Sequence, residues 1–180
     1  MNLEEYRVIS VDPSLRSTGV YRNWTGCTDT IDCAKYTHIT ALHVFGKMLA
    51  RWCCGADVML IEDYAFGKAG SSRSVLTMGE IRGIATYIAK HEGVSIFSVP
   101  IATWKAKMSG LPPKGRGKRD CETYCLLSGE LFGRTFATPD EVDAYAIYWA
   151  VNKILRTQPE HKLAEEMRNV LLGGLHYESE

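Results

Sequence analysis

Four carboxylates, Asp12, Glu62, Asp140 and Asp143, are the residues of this 180-residue chain whose type and position best suit catalysis. Carboxylate oxygens are the hard ligands that Mg²⁺ and Mn²⁺ prefer, with waters and phosphate oxygens completing the octahedron. Two such ions about 3.5–4 Å apart can activate a water and stabilise the leaving oxygen of a phosphodiester. Each acid also has an ordinary reading: Asp12 as a turn residue, Glu62 and its neighbour Asp63 as strand-end charges, Asp140 as a helix-start acid that complements the dipole.

The elements around the acids favour the first reading. Asp12 ends the apolar run Arg7-Val8-Ile9-Ser10-Val11 and precedes Pro13-Ser14-Leu15-Arg16-Ser17-Thr18-Gly19, whose Pro, Ser and Gly suit a tight hairpin. Glu62 closes a second strand, Val58-Met59-Leu60-Ile61. Alternation puts Val58, Leu60 and Glu62 on one face and Asp63 on the other, so Glu62 is the expected ligand and Asp63 the fallback. Asp140 and Asp143 follow Thr138-Pro139, a cap with proline in the first turn, and open a helix through Asn152 or beyond. Three residues apart, they share the face that continues through Ala144, Ile147 and Val151. Burying unpaired carboxylates is costly, and divalent cations would remove that cost.

A basic stretch supplies a second feature. From Ser109 to Arg119 the chain reads Ser-Gly-Leu-Pro-Pro-Lys-Gly-Arg-Gly-Lys-Arg, with Trp104, Lys105 and Lys107 before it and no acid between Gly93 and Arg119. Glycine and proline suggest a flexible loop, and its cations could neutralise phosphates in a salt-dependent way. A solvated loop without a partner is the plain alternative. The net charge of zero argues against nucleic-acid binding over the whole surface, but the cations gather before Asp120 and the tail from Glu160 is rich in Glu.

In four places the sequence resembles the RuvC family of Holliday junction resolvases and its shorter phage-encoded relatives. These are Ile9-Ser10-Val11-Asp12-Pro13 with Thr18-Gly19, Leu60-Ile61-Glu62 followed by an aromatic loop, Met78-Gly79-Glu80-Ile81-Arg82-Gly83, and Asp140-Glu141-Val142-Asp143-Ala144. The resemblance runs from about Arg7 to Leu155. It implies a metal-dependent endonuclease that cuts four-way DNA junctions by paired symmetric nicks, leaving a 5′-phosphate and a 3′-hydroxyl. Asp12, Glu62, Asp140 and Asp143 would be its catalytic acids, holding two Mg²⁺ ions for which Mn²⁺ could substitute. It also implies DNA contacts from Lys114, Arg116, Lys118 and Arg119, with Lys118 ranked first, to which the basic stretch adds Lys105 and Lys107, and a homodimer that uses the helix around Gly79 and Gly83. Two departures stand out. Ser14 replaces a usual glycine, and the place of the family's junction-stacking aromatic is taken by Ala65, leaving Tyr64 and Phe66 either as alternatives for that contact or as packing under the loop. The two glycines themselves are expected where the helix packs on the sheet.

Composition fits one globular domain, with 46% hydrophobic and 23% charged residues. No apolar stretch approaches the ~20 residues of a membrane span, and Met1-Asn2-Leu3-Glu4-Glu5 lacks signal-peptide character, so a soluble, cytoplasmic protein of a bacterium or phage-infected host is expected. The six cysteines read as reduced thiols rather than disulfides. A zinc site using Cys121 and Cys125 with His161 or His176 is the lesser alternative.

The order of elements predicts an α/β fold. Strands near Tyr6–Val11, Ser17–Asn23 and Thr28–Ala34 form a meander, followed by a helix near Ile39–Cys53, the strand to Glu62, a helix near Ser72–His91 and a strand at Ser95–Val99. This is a ribonuclease-H-like, mixed five-stranded sheet with helices on both faces, spanning residues 1–157, with 158–180 as an accessory helix and tail. Two other nuclease or binding readings share it: an enzyme for flaps, other branched DNA or RNA–DNA hybrids, and a non-catalytic branched-DNA binding protein. An actin-like nucleotide-binding domain shares the early hairpin but would need a second copy of the fold and a second phosphate loop.

Overall fold

The strands are β1 (Val8–Asp12), β2 (Ser17–Arg22), β3 (Cys27–Asp32), β4 (Val58–Asp63) and β5 (Ser95–Pro100). The helices are α1 (His38–Cys53), α2 (Ser72–His91), α3 (Ile101–Lys107), α4 (Lys118–Phe132), α5 (Pro139–Thr157) and α6 (Lys162–Gly173). The computed structural model describes residues 1–63, 72–108, 110–111 and 117–173, with side chains described for all of these except 72–74, 118 and 173. The sheet order is β3-β2-β1-β4-β5. β1, β2 and β3 pair antiparallel as hairpins, and β4 and β5 run parallel to β1. This is the mixed, ribonuclease-H-like arrangement expected.

Alternate residues of the central strands serve two cores, as a period of two requires. Val8, Val58, Leu60, Phe97 and Val99 pack with Ala144, Ile147 and Val151 of α5, together with Trp104 of α3 and Leu163 and Met167 of α6. Ile9, Val11, Met59 and Ile61 pack on the opposite face with Phe45 and Leu49 of α1 and Ile81 and Ala85 of α2. The segment after Pro159 thus contributes a helix whose apolar face completes the α5 core.

α5 begins as its sequence dictates. The Thr138 hydroxyl accepts from the Glu141 amide at 3.2 Å, and Pro139 occupies the first turn, where its missing N–H is no loss. Ser10 is completely buried on the α5 side of β1 and donates to the Ala144 carbonyl at 2.6 Å, offsetting the cost of its desolvation and tying the central strand to the helix.

Two expectations are corrected. The glycine face of α2 does not pack on the sheet: a Cβ at Gly79 or Gly83 would meet nothing within 4 Å, and Leu76 and Tyr87 on the same side of the helix are each 70% exposed. The basic stretch is not loop through Arg119, because Lys118 and Arg119 already lie in the first turn of α4, where Asp120 accepts from the Gly117 amide. Trp104 is a core residue at 1% exposure.

Candidate active site

Asp12 and Glu62 end neighbouring parallel strands. The register pairs Val11 with Ile61, so the next residue of each strand is one of the two acids. Asp12 shares its face with Val8 and Ser10, and Glu62 shares its face with Val58 and Leu60, so both carboxylates are directed to the α5 side. Both are buried, Asp12 at 8% and Glu62 at 5% exposure. Asp63 points to the other face and forms an ion pair with Arg82, which also donates to the Ser98 hydroxyl at 2.5 Å.

The start of α5 is brought onto this edge by a missing side chain. Gly19 is the register partner of Asp12 across β1 and β2. A Cβ on Gly19 would lie 1.8 Å from the Asp140 carbonyl oxygen, so only glycine lets the helix come this close. Asp140, half-buried, accepts from the Ser17 hydroxyl at 2.5 Å, and Asp143 is buried at 7% exposure. Between them, Glu141 turns toward β3, where it accepts from the hydroxyls of Thr28 at 2.9 Å and Thr30 at 3.2 Å and from the Ala137 amide at 3.0 Å. That buried acid is consumed by anchoring α5 to the outer strand.

Asp143 is held from the side by α4. The Tyr124 hydroxyl, itself buried, donates to Asp143 Oδ1 at 2.5 Å. Desolvation, the Asp143 charge and hydrogen bond, and the charge of Asp12 all push the Tyr124 hydroxyl up from its ordinary value, so it stays a protonated donor. That Asp12 acts on the same hydroxyl places it in the same electrostatic neighbourhood as Asp143.

The edge therefore gathers three buried carboxylates from two strands and a helix, with Asp140 beside them. Their chemistry, oxygen donors only, fits a hard divalent cation rather than zinc or copper. Among the described residues no three His, Cys, Asp or Glu side chains are placed so that they could hold one metal ion together.

The expected DNA-contact residues fall in several places. Lys105 is exposed, with Nζ 5.2 Å from the Trp104 ring centre. Lys107 donates to Gln158 Oε1 at 2.8 Å, just past the far end of α5, about 22 Å along the helix from Asp143. Arg119 is exposed in the first turn of α4, and Lys118 opens that helix. Tyr64, Phe66, Lys114 and Arg116 lie outside the described residues. All six thiols are free of disulfides, and among the described residues no helix is long and apolar enough to cross a membrane.

Sequence reasoning did not single out Ser17, Glu141 or Tyr124. Glu141 carried a signal, because its place three residues after Thr138 marks a capping position, but nothing in the sequence tied Tyr124 to Asp143.

No family model and no curated protein matches this sequence. Solved structures do. The chain is similar to Thermus thermophilus RuvC in complex with Holliday junction substrate, with a TM-score of 0.63 and 13% identity over 85% of this chain and 96% of that one. It is also similar to a Thermus thermophilus RuvC structure, with a TM-score of 0.61 and 12% identity over 83% and 95% of the respective chains. At that identity the likeness establishes a shared fold.

Proposed function

We propose that the protein is a metal-dependent DNA endonuclease that resolves four-way junctions by paired, symmetric nicks. The observation that carries this reading is the meeting of Asp12 and Glu62, at adjacent parallel strand ends, with the α5 turn that bears Asp140 and Asp143. It occurs on a fold shared with a RuvC solved on Holliday junction substrate.

In this reading Asp12, Glu62 and Asp143 would hold two Mg²⁺ ions, with Mn²⁺ able to substitute, and Asp140 would complete the shell or orient the attacking water. The bound ions supply a water nucleophile at neutral pH and charge stabilisation at the leaving oxygen. The protein's own part is positional. Gly19 lets the Asp140 turn approach β1, Ser10 fixes the helix against the strand, Ser17 fixes Asp140, and burial excludes bulk water from three of the carboxylates. Lys114 and Arg116, which precede α4 in the sequence, Lys118 and Arg119 in its first turn, and Lys105 of α3 would contact the DNA backbone. Tyr64 or Phe66, immediately after Glu62 and Asp63, would meet the junction. Lys107 is the weakest of the contacts, given its bond to Gln158.

A homodimer suits two symmetric cuts. The open stripe of Leu76, Gly79, Gly83 and Tyr87 on α2 is the face that would form it.

The test is cleavage of a synthetic mobile four-way junction beside matched duplex, flap and RNA–DNA hybrid, in Mg²⁺, Mn²⁺ and chelator, by wild type and Asp12→Asn. Paired nicks confined to the junction, dependent on metal and lost in the variant while junction binding remains, are expected. Cleavage retained by Asp12→Asn would remove the assignment. Preference for flaps or hybrids would keep the acids and change the substrate, and junction binding without cutting would leave a binding protein.

A further inference from the structure

We propose that a groove on the side of the sheet edge away from α5 binds the sugar-phosphate backbone of the strand flanking the cut, with Arg16 as its main phosphate contact. The inference rests on the nuclease reading and adds a binding element outside the basic stretch at residues 105–119.

The groove measures about 620 Å³ and is lined by Ser14 and Arg16 of the β1–β2 turn, Tyr36 and His38 at the entry to α1, and Thr77 of α2. Its Ser14 and Arg16 wall, in the turn after β1, lies at the same edge of the sheet as Asp12. β3 runs parallel to β1, both being antiparallel to β2, so the ends of β1 at Asp12 and of β3 at Asp32 lie on one side of the sheet. A strand whose phosphate sits on the acids must continue past this edge in one direction or the other, and the groove lies on one of those paths.

Arg16 is presented by a pinned turn. Thr18 Oγ1 donates to the Ser14 carbonyl at 2.6 Å and accepts from the Ser14 amide at 3.1 Å. The Arg16 amide donates to Ser14 Oγ at 3.3 Å, and the Arg16 carbonyl accepts from the Cys33 amide at 2.8 Å. Only the side chain is left to move. Ser17 reaches across to Asp140 while Arg16, one residue earlier, lines the groove, as alternation along an extended chain requires. Four residues separate Arg16 from Asp12, so their backbones are at most about 14 Å apart, a few nucleotides along a DNA strand.

The charges suit a phosphodiester. Arg16 is exposed and makes no ion pair among the described residues. A guanidinium free of a carboxylate partner can grip a phosphate with two parallel hydrogen bonds. Lys35 is exposed beside it in sequence to the groove residue Tyr36, with Nζ 5.3 Å from that ring. Glu80 is engaged by His38 Nε2 at 2.7 Å, which limits its repulsion of an incoming phosphate.

The test is equilibrium binding of a fluorescent four-way junction and of duplex, in chelator, between 50 and 200 mM salt as a standard range, by wild type, Arg16→Ala, Lys35→Ala and Lys90→Ala. Phosphate-ethylation interference on the nicked strand would be run in parallel. Arg16→Ala should weaken junction and duplex binding by similar factors and lower the slope of log affinity against log salt by about 0.9. It should also erase interference at a phosphate within a few nucleotides of the nick. Lys90→Ala, exposed in the last turn of α2 and so at the opposite edge of the sheet, should change neither readout. Unchanged slope and interference in Arg16→Ala, with wild type still binding and cutting junctions, would overturn this inference alone. A wild type that binds no DNA would overturn it together with the nuclease reading.

Discussion

The Tyr124 hydroxyl donates to Asp143 Oδ1 at 2.5 Å, joining α4 to α5 inside the carboxylate edge. On the proposed nuclease reading, this bond orients the Asp143 carboxylate as a hydrogen-bond partner behind a metal ligand would. Tyr124→Phe keeps the ring's packing and removes the bond. The expected result is a rise of about 10–100-fold in the Mg²⁺ concentration needed for half-maximal cleavage, with junction binding in chelator unchanged. Titration of the melting temperature with Mn²⁺ should show the same weakening without any DNA present. An unchanged metal requirement would make the bond a matter of packing only.

Gly19→Ala tests the approach of helix to strand. The added methyl would sit 1.8 Å from the Asp140 carbonyl oxygen and 2.2 Å from its carbon, both backbone atoms that no rotamer change can move away. The first turn of α5 must then shift from β2. A loss of about 1–3 kcal/mol in urea unfolding is expected, together with loss of cleavage out of proportion to the unfolded fraction. Full activity in a folded Gly19→Ala protein would show that the Asp140 turn need not be this close.

How much of this could be read from the sequence varies with the kind of contact. β1 and β4 were legible because buried strands ending in an acid have few other uses, and α5 because Thr138, Pro139 and the Ala144, Ile147, Val151 spacing mark both its start and its inner face. The direction of Glu62 against Asp63 followed from alternation alone. α4 was not legible as a whole helix, since Leu126, Leu127 and Leu131 are exposed and blur any single apolar face. α3 has only seven residues, too few for a period to show. Tyr124 meets Asp143 through the packing of two helices, a relation that no local spacing encodes. The glycines of α2 were misread because glycine in a helix signals a close approach without saying what comes close.

Cys53 offers a pH-dependent check on the α1 core. Burial pushes its thiol up to about 12 from an ordinary value of 9.0, with the Glu92 charge a smaller cause. The folded state therefore favours the neutral thiol. Its contribution is fully present below pH 9 and is lost as pH rises from about 9 toward 12, by up to about 4 kcal/mol. Urea unfolding of wild type and Cys53→Ala should show a stability gap that narrows over that window. A gap independent of pH would mean that Cys53 ionises as freely in the folded state as in the unfolded chain. Iodoacetamide should modify the exposed Cys27 and Cys54 well before Cys53.

On the proposed nuclease reading, the open face of α2 is the candidate contact between two copies of the chain. Leu76 and Tyr87 are large and exposed, and Gly79 and Gly83 between them leave room for close approach of another surface. A second copy related by a two-fold axis would bury both large side chains and set two carboxylate edges symmetrically. Leu76→Glu combined with Tyr87→Glu places charge in that face while leaving the two cores untouched, so the melting temperature of the folded chain should change little. Sedimentation equilibrium should then report a dimer for wild type and a monomer for the double variant. Junction cleavage should change with it, from paired nicks released as resolved duplexes to single, uncoordinated nicks. A wild-type monomer, or a double variant that remains a dimer and still cuts in pairs, would exclude α2 as the face that coordinates the two cuts.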